Sequence, residues 1–194
     1  MSRPPRGFPP AEANPWKTHA VKPIYANPWF EVEEHQVTRP DGEAGIYGIV
    51  HPARIALGVV PLEADGTVWL VGQYRYPLSR YSWEIPEGGG DPDLGLVEEA
   101  ARELVEETGL TAGRWDRLIS MHTSNCFTSE EAVIFLARDL QPGKARPDGN
   151  EQLQLARVDL AEAVAAIARG EITDAMTIAA LLELERRRLT GVLG

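Results

Sequence analysis

Three glycines in succession, Gly88 to Gly90, interrupt a stretch of aromatic residues and prolines near the middle of the 194-residue chain. Positions without a side chain reach dihedrals that other residues avoid and let another group approach the backbone closely. The segment Arg75 to Gly90 is therefore expected as a loop, and the element after it must start afresh. That element has a helical pattern. Asp91-Pro92 offers a capping residue and a proline tolerated in a first turn, and Leu96, Val97, Ala100 and Leu104 recur at helical spacing. Gly109 stands where a left-handed cap closes a helix, which is expected to run from about Asp93 to Thr108.

Strand patterns flank this helix on both sides. Phe30 to Thr38 partly alternates, and Pro40-Asp41-Gly42 marks a turn before Ile46 to Val50, which reads as a hairpin. A second hairpin joins Ile55 to Leu62 with Thr67 to Tyr74 through Ala64-Asp65-Gly66. After the helix, apolar runs at Leu118 to His122, Ala132 to Ala137 and Leu153 to Val158 are compatible with strands. Asp159 and Thr173 are then placed to cap closing helices over Leu160 to Arg169 and Ala175 to Leu189. Strands, one helix, more strands and terminal helices make a mixed α/β or α+β sandwich. Seven of the 15 prolines precede Trp29, so residues 1–24 are expected as an extended arm, outside any helix or central strand. Residues 25–194 are expected to form a single domain.

The 43% of apolar side chains suffices for one ordinary core, while a formal charge of -10 opposes binding to nucleic acid backbones or anionic membranes. A phosphate-bearing ligand would need a local counter-charge, which a divalent cation bridging carboxylates to phosphate oxygens supplies. A single cysteine, Cys126, rules out an internal disulfide and a thiolate cluster. The first residues lack an apolar signal core and no apolar run reaches about 18 residues, so a soluble, cytoplasmic protein is expected. His19, His35, His51 and His122 are scattered without metal-ligand spacing and are expected to be structural.

On the central helix Glu103, Glu106 and Glu107 share a face. Like charges at that spacing cost roughly a few tenths of a kcal/mol per pair, and a cation relieves them. Oxygen donors suit Mg²⁺, or Mn²⁺ in its place, better than zinc. Arg102, four residues before Glu106, can pin that carboxylate and leave the others to coordinate. Taken alone, an acidic run also fits a solvated helix face; the glycine-rich segment before it and Gly109 after it set this one apart.

With that context the segment resembles the Nudix box: Gly, five residues, Glu, seven residues, Arg-Glu, an aliphatic residue, any residue, Glu-Glu, any residue, Gly and an aliphatic residue. Gly88, Arg102, Glu103, Leu104, Glu106, Glu107, Gly109 and Leu110 fall in register, and Leu94 replaces the first glutamate. That departure bears on support for the ligands and on rate rather than on metal binding. Trp83-Glu84-Ile85-Pro86-Glu87-Gly88, Gln73-Tyr74-Arg75 and Gly170-Glu171-Ile172-Thr173-Asp174-Ala175 are similar to the family's branch acting on ADP-ribose and nucleotide sugars. The resemblance covers about residues 25 to 185.

The resemblance implies a Nudix-type α/β/α sandwich with a mixed sheet and N-terminal antiparallel strands. It implies Mg²⁺-dependent hydrolysis of a nucleoside diphosphate sugar to a nucleoside monophosphate and a sugar phosphate. Glu103 and Glu107 are the preferred metal ligands, with Glu106 beside them and the backbone carbonyl of Glu87 completing the shell. Two glutamates are candidates for the base outside the box: Glu151, which follows a polar loop, and Glu130, alternatively an orienting group. Arg75 is expected to meet phosphate or ribose, Glu84 a base edge or ribose, and Trp83, Tyr76 or Trp29 to stack on a base, although aromatic residues also serve as core. The branch further implies a homodimer built through Asn27 to Val50. Two other activities stay open: hydrolysis of a dinucleotide, coenzyme A or a nucleoside triphosphate, and non-catalytic sensing of ADP-ribose. The three glutamates argue against the second of these.

Overall fold

The computed structural model describes residues 6–91, 93–145 and 152–193. The chain divides into two compact units, Met1–His51 and Pro52–Gly194. In the first, strands β1 (Lys17–Ala26), β2 (Phe30–Thr38) and β3 (Ala44–Pro52) form a sheet in that order. The expected proline arm is thus shorter than composition suggests, because Lys17–Ala26 pairs antiparallel with β2. β1 tolerates Pro23 because it is an edge strand, with a register shift between Pro23 and Tyr25. Trp16 packs edge-on against Tyr47, ring centroids 5.3 Å apart.

The second unit contains β4 (Ile55–Pro61), β5 (Thr67–Arg75), β6 (Arg80–Glu84), β7 (Glu87–Gly90), α1 (Leu96–Thr108), β8 (Leu110–His122), β9 (Glu131–Pro142), β10 (Gln154–Asp159), α2 (Leu160–Ala168) and α3 (Ala175–Leu189). One sheet runs β7-β4-β9-β8, with β4 and β9 parallel and the outer pairs antiparallel. The other runs β10-β5-β6 and is antiparallel.

Strand alternation assigns the two faces of the mixed sheet to different helices. Leu57 and Val59 of β4 and Val133 and Phe135 of β9 pack with Ala100 and Leu104 of α1. Val60, Ile134 and Leu136 pack instead with Met176, Ala180, Leu181 and Leu184 of α3. Both faces are covered, so the architecture is the expected α/β/α arrangement. Among the described residues no helix is long and apolar enough to cross a membrane.

Several boundaries differ from expectation for local reasons. The segment expected as a loop contains β6 and β7, and the glycine triplet is itself a strand. Helix α1 begins at Leu96 behind Gly95, which makes no side-chain cap bond; the Asp91 carboxylate accepts the Asp93 N–H at 2.9 Å and so closes a turn before the helix. Leu94 lies in that turn, more than half exposed. At the far end Gly109 adopts φ 75° and donates its N–H to Val105, the left-handed closure expected there. Helix α3 is capped by Asp174 rather than Thr173: its carboxylate accepts the Thr177 N–H at 2.7 Å, while the Thr173 hydroxyl accepts from Arg80.

Candidate active site

None of Gly88, Gly89 and Gly90 has positive φ, so the triplet serves close approach and not an unusual turn. β7 pairs with β4, Gly88 opposite Leu57 and Gly90 opposite Ile55. A Cβ on Gly88 would stand 2.1 Å from the carboxyl carbon of Glu103, and one on Gly90 would stand 2.4 Å from Leu57 Cδ1. The side chain missing at Gly88 lets α1 seat Glu103 against β7, and the one missing at Gly90 leaves room for Leu57 of β4.

Burial of Ala100 and Leu104 fixes the rotation of α1, which sets the places of the box glutamates. Glu107 is 3% exposed, and its Oε2 accepts the backbone N–H of Glu87 at 3.2 Å. The Arg102 guanidinium donates to Glu106 and also to Glu103, each at 2.5 Å, with Glu99 at 3.4 Å. The expectation that Arg102 pins Glu106 alone is corrected here, since its two terminal nitrogens span both carboxylates. One guanidinium cannot balance this much negative charge, and the donors are all oxygens, a set that fits a hard divalent cation.

A second charged group adjoins the box. Arg75, ending β5, forms a fork on Glu84, with Nε to Oε2 at 2.9 Å and Nη2 to Oε2 at 2.5 Å. Glu84 is 2% exposed, so it serves as the buried anchor of Arg75. Arg75 Nη2 is also 3.8 Å from Glu87 Oε2, and the Thr177 hydroxyl donates to Glu87 Oε1 at 3.4 Å. Burial pushes the Glu87 carboxyl well above its ordinary value of 4.5, and Asp174 and Glu84 add to the rise while Arg75 opposes it. The same Thr177 oxygen accepts the Ile85 N–H at 3.0 Å, tying the start of α3 to the segment that leads into β7.

A carboxyl whose folded pKa is raised stabilises the fold in its protonated form. That contribution is complete below the unfolded value and is lost as pH climbs through the raised one. In chelator, the melting temperature of the native chain is therefore expected to fall more steeply from pH 5 to pH 8 than that of Glu87→Gln. Parallel melting profiles for the two would refute this origin of the shift.

An open cleft of about 370 Å³ brings Arg75, Glu87, Gly88, Thr123, Glu130 and Asp174 together. Glu130 Oε2 accepts the Thr123 hydroxyl at 2.5 Å. Trp83 lies elsewhere: alternation along β6 turns it away from Glu84, and it packs edge-on against Tyr81 at 5.7 Å beside an apolar hollow with Leu70, Ala156 and Val158. Tyr76 and Trp29 are exposed, Trp29 within the N-terminal unit. Glu151 lies outside the described residues. Sequence reasoning did not single out Asp174, Thr177 or Thr123. The only available signal was the segment Thr173-Asp174-Ala175, in which an aspartate precedes a helical pattern.

A glycine strand that admits a helix of inward carboxylates, set against a mixed sheet covered on both faces, is the Nudix arrangement, and the chain belongs to the Nudix family. The NUDIX domain model matches residues 52–181, and the nucleoside diphosphate sugar hydrolase N-terminal domain matches residues 16–50. This chain is a Nudix pyrophosphohydrolase. It is 30% identical to an ADP-ribose pyrophosphatase of Mycobacterium tuberculosis over 86% of this chain and 82% of the relative. It is 32% identical to an ADP-ribose pyrophosphatase of Bacillus subtilis over 87% of this chain and 92% of the relative. A crystal structure of an ADP compounds hydrolase shares the fold, with a TM-score of 0.82 at 24% identity, covering 94% of this chain and 98% of that one.

Proposed function

We propose that this chain hydrolyses the pyrophosphate bond of a nucleoside diphosphate sugar of the ADP-ribose type, giving a nucleoside monophosphate and a sugar phosphate, with Mg²⁺ as cofactor and Mn²⁺ as a substitute. The observation that carries this reading is the seating of Glu103 against Gly88, beside a cleft that also holds Arg75. The names of the two ADP-ribose pyrophosphatase relatives support the substrate class.

Glu103 and Glu107 hold the cation, with Glu106 and the Glu87 carbonyl beside them. When bound, the cation polarises the phosphoryl oxygens and lowers the pKa of the attacking water. Arg75, oriented by buried Glu84, meets a phosphate oxygen through the part of its guanidinium that the fork leaves over. Water attacks one phosphorus, the bridging P–O bond breaks, and the attacking water's proton passes to a carboxylate. Glu151 is the preferred candidate for the base, and Glu130, the second candidate, orients that water from the cleft wall. Trp29 offers an exposed face on which a base could stack. The N-terminal strands, with Val21, Ile24 and Tyr25 exposed on β1, form the surface through which we propose a homodimer.

The test is release of phosphatase-sensitive monophosphates from ADP-ribose, ADP-glucose, GDP-mannose, UDP-glucose and dinucleotides, with Mg²⁺ or with chelator. ADP-ribose is expected among the best substrates, with a rate in Mg²⁺ at least about a hundredfold above that in chelator. Absence of metal-dependent turnover on every compound would sink the proposal.

A further inference from the structure

Glu33 and His35 stand two residues apart on β2 and so share a face of the N-terminal sheet, and His51 lies on the neighbouring strand β3. His35 Nε2 is 2.9 Å and His51 Nε2 is 3.2 Å from the same oxygen, Glu33 Oε2, and all three ligand atoms lie within 4.8 Å of one another. The expectation that scattered histidines lack metal spacing does not survive strand pairing. A carboxylate oxygen only accepts, so with no cation present both ring nitrogens direct N–H groups at one atom.

We propose that Glu33, His35 and His51 form a binding site for a first-row transition metal ion, with Zn²⁺ the preferred occupant, separate from the carboxylate box and sharing no residue with it. Tetrahedral bonds of about 2.0–2.2 Å require ligand atoms about 3.3–3.5 Å apart, so only small ring movements separate the observed trio from a coordinating one. Each imidazole then carries its proton on Nδ1 and offers the Nε2 lone pair, and the ion replaces the two N–H hydrogens between the rings and the carboxylate. The side chains are 29%, 18% and 38% exposed in order of number, which leaves a fourth position open to water and a path for the ion. Two imidazoles among three ligands select zinc over magnesium, so the two sites can be filled independently.

The surrounding unit gives such a site a purpose. Val37 is the only buried residue among the described residues of Met1–His51, so this sheet has little core within its own boundaries. An ion held between β2 and β3 would tie the strands together as metals do in other small units.

The test uses the full chain, freed of metal by chelator and returned to millimolar Mg²⁺. Titration with Zn²⁺ is expected to show one equivalent bound and a higher melting temperature. Co²⁺ in its place is expected to give the intense visible bands of a four-coordinate site, which an all-oxygen octahedral box does not. His35→Gln and His51→Gln are each expected to weaken Zn²⁺ by at least about tenfold, whereas Glu103→Gln leaves this equivalent intact. No Zn²⁺ uptake above the Mg²⁺ background, or uptake unchanged in both histidine variants, would overturn the site and leave a hydrogen-bonded trio. Should the variants fail to fold, the native chain still decides: the ring resonances of His35 and His51 must move with Zn²⁺, and unmoved resonances reject the proposal.

Discussion

Glu107→Gln is expected to lower kcat by about three orders of magnitude while the chain stays folded. Loss of metal-borne charge stabilisation removes several kcal/mol from the transition state, and each ~1.36 kcal/mol is tenfold in rate. Glutamine keeps the volume of a side chain that is 3% exposed, and its amide oxygen can still accept the Glu87 N–H now bonded at 3.2 Å. It also removes one of the like charges crowded on α1, so in chelator the melting temperature is expected to hold or rise slightly. The rise in melting temperature that Mg²⁺ gives the native chain is expected to shrink or vanish in the variant. The two readouts together separate a ligand from a packing residue. A kcat within tenfold of native at saturating Mg²⁺ would remove Glu107 from the metal site.

A methyl group at Gly88 is expected to be almost as damaging. Its Cβ would fall 2.1 Å from the Glu103 carboxyl carbon and 2.3 Å and 2.5 Å from the two oxygens. The backbone there is paired with Leu57, so the strand cannot easily yield and the carboxylate must swing away. Misplacing a reacting or ligating group by about 1 Å costs on the order of a hundredfold. Gly88→Ala is therefore expected to cut kcat/KM by roughly that factor and to raise the Mg²⁺ concentration needed for half-maximal rate. Gly89→Ala is the control, because its Cβ would meet the flexible Arg54 side chain at 3.0 Å, which can move aside. Equal losses in the two variants would show that any side chain in β7 is harmful, and would discard the specific clash with Glu103.

Much of this site could be read from the chain because its signal is local. The helical spacing of Ala100 and Leu104 and the left-handed closure at Gly109 depend on neighbours within a few turns, and α1 appears with its carboxylates as their spacing requires. The strands around it alternate or run apolar in sequence, and the sandwich follows from their order. The same locality explains the errors. A glycine triplet has no side chain from which to read a pairing, so β7 was legible only once β4 lay beside it. β1 carries Pro23 and follows a proline-dense stretch, signals that point to an arm until β2 supplies its partner.

The sequence by itself determined the order of elements, the sandwich class and the run of carboxylates on α1, because helix and strand periods and caps are properties of adjacent residues. Tertiary structure alone decided that Glu84 lies buried under Arg75, and that Asp174 and Thr177 reach Glu87 across some ninety positions. It likewise brought His51 to Glu33 and His35. Such contacts arise when strands choose partners and helices choose faces, and those choices minimise the free energy of the whole core, to which no short stretch of chain is a guide.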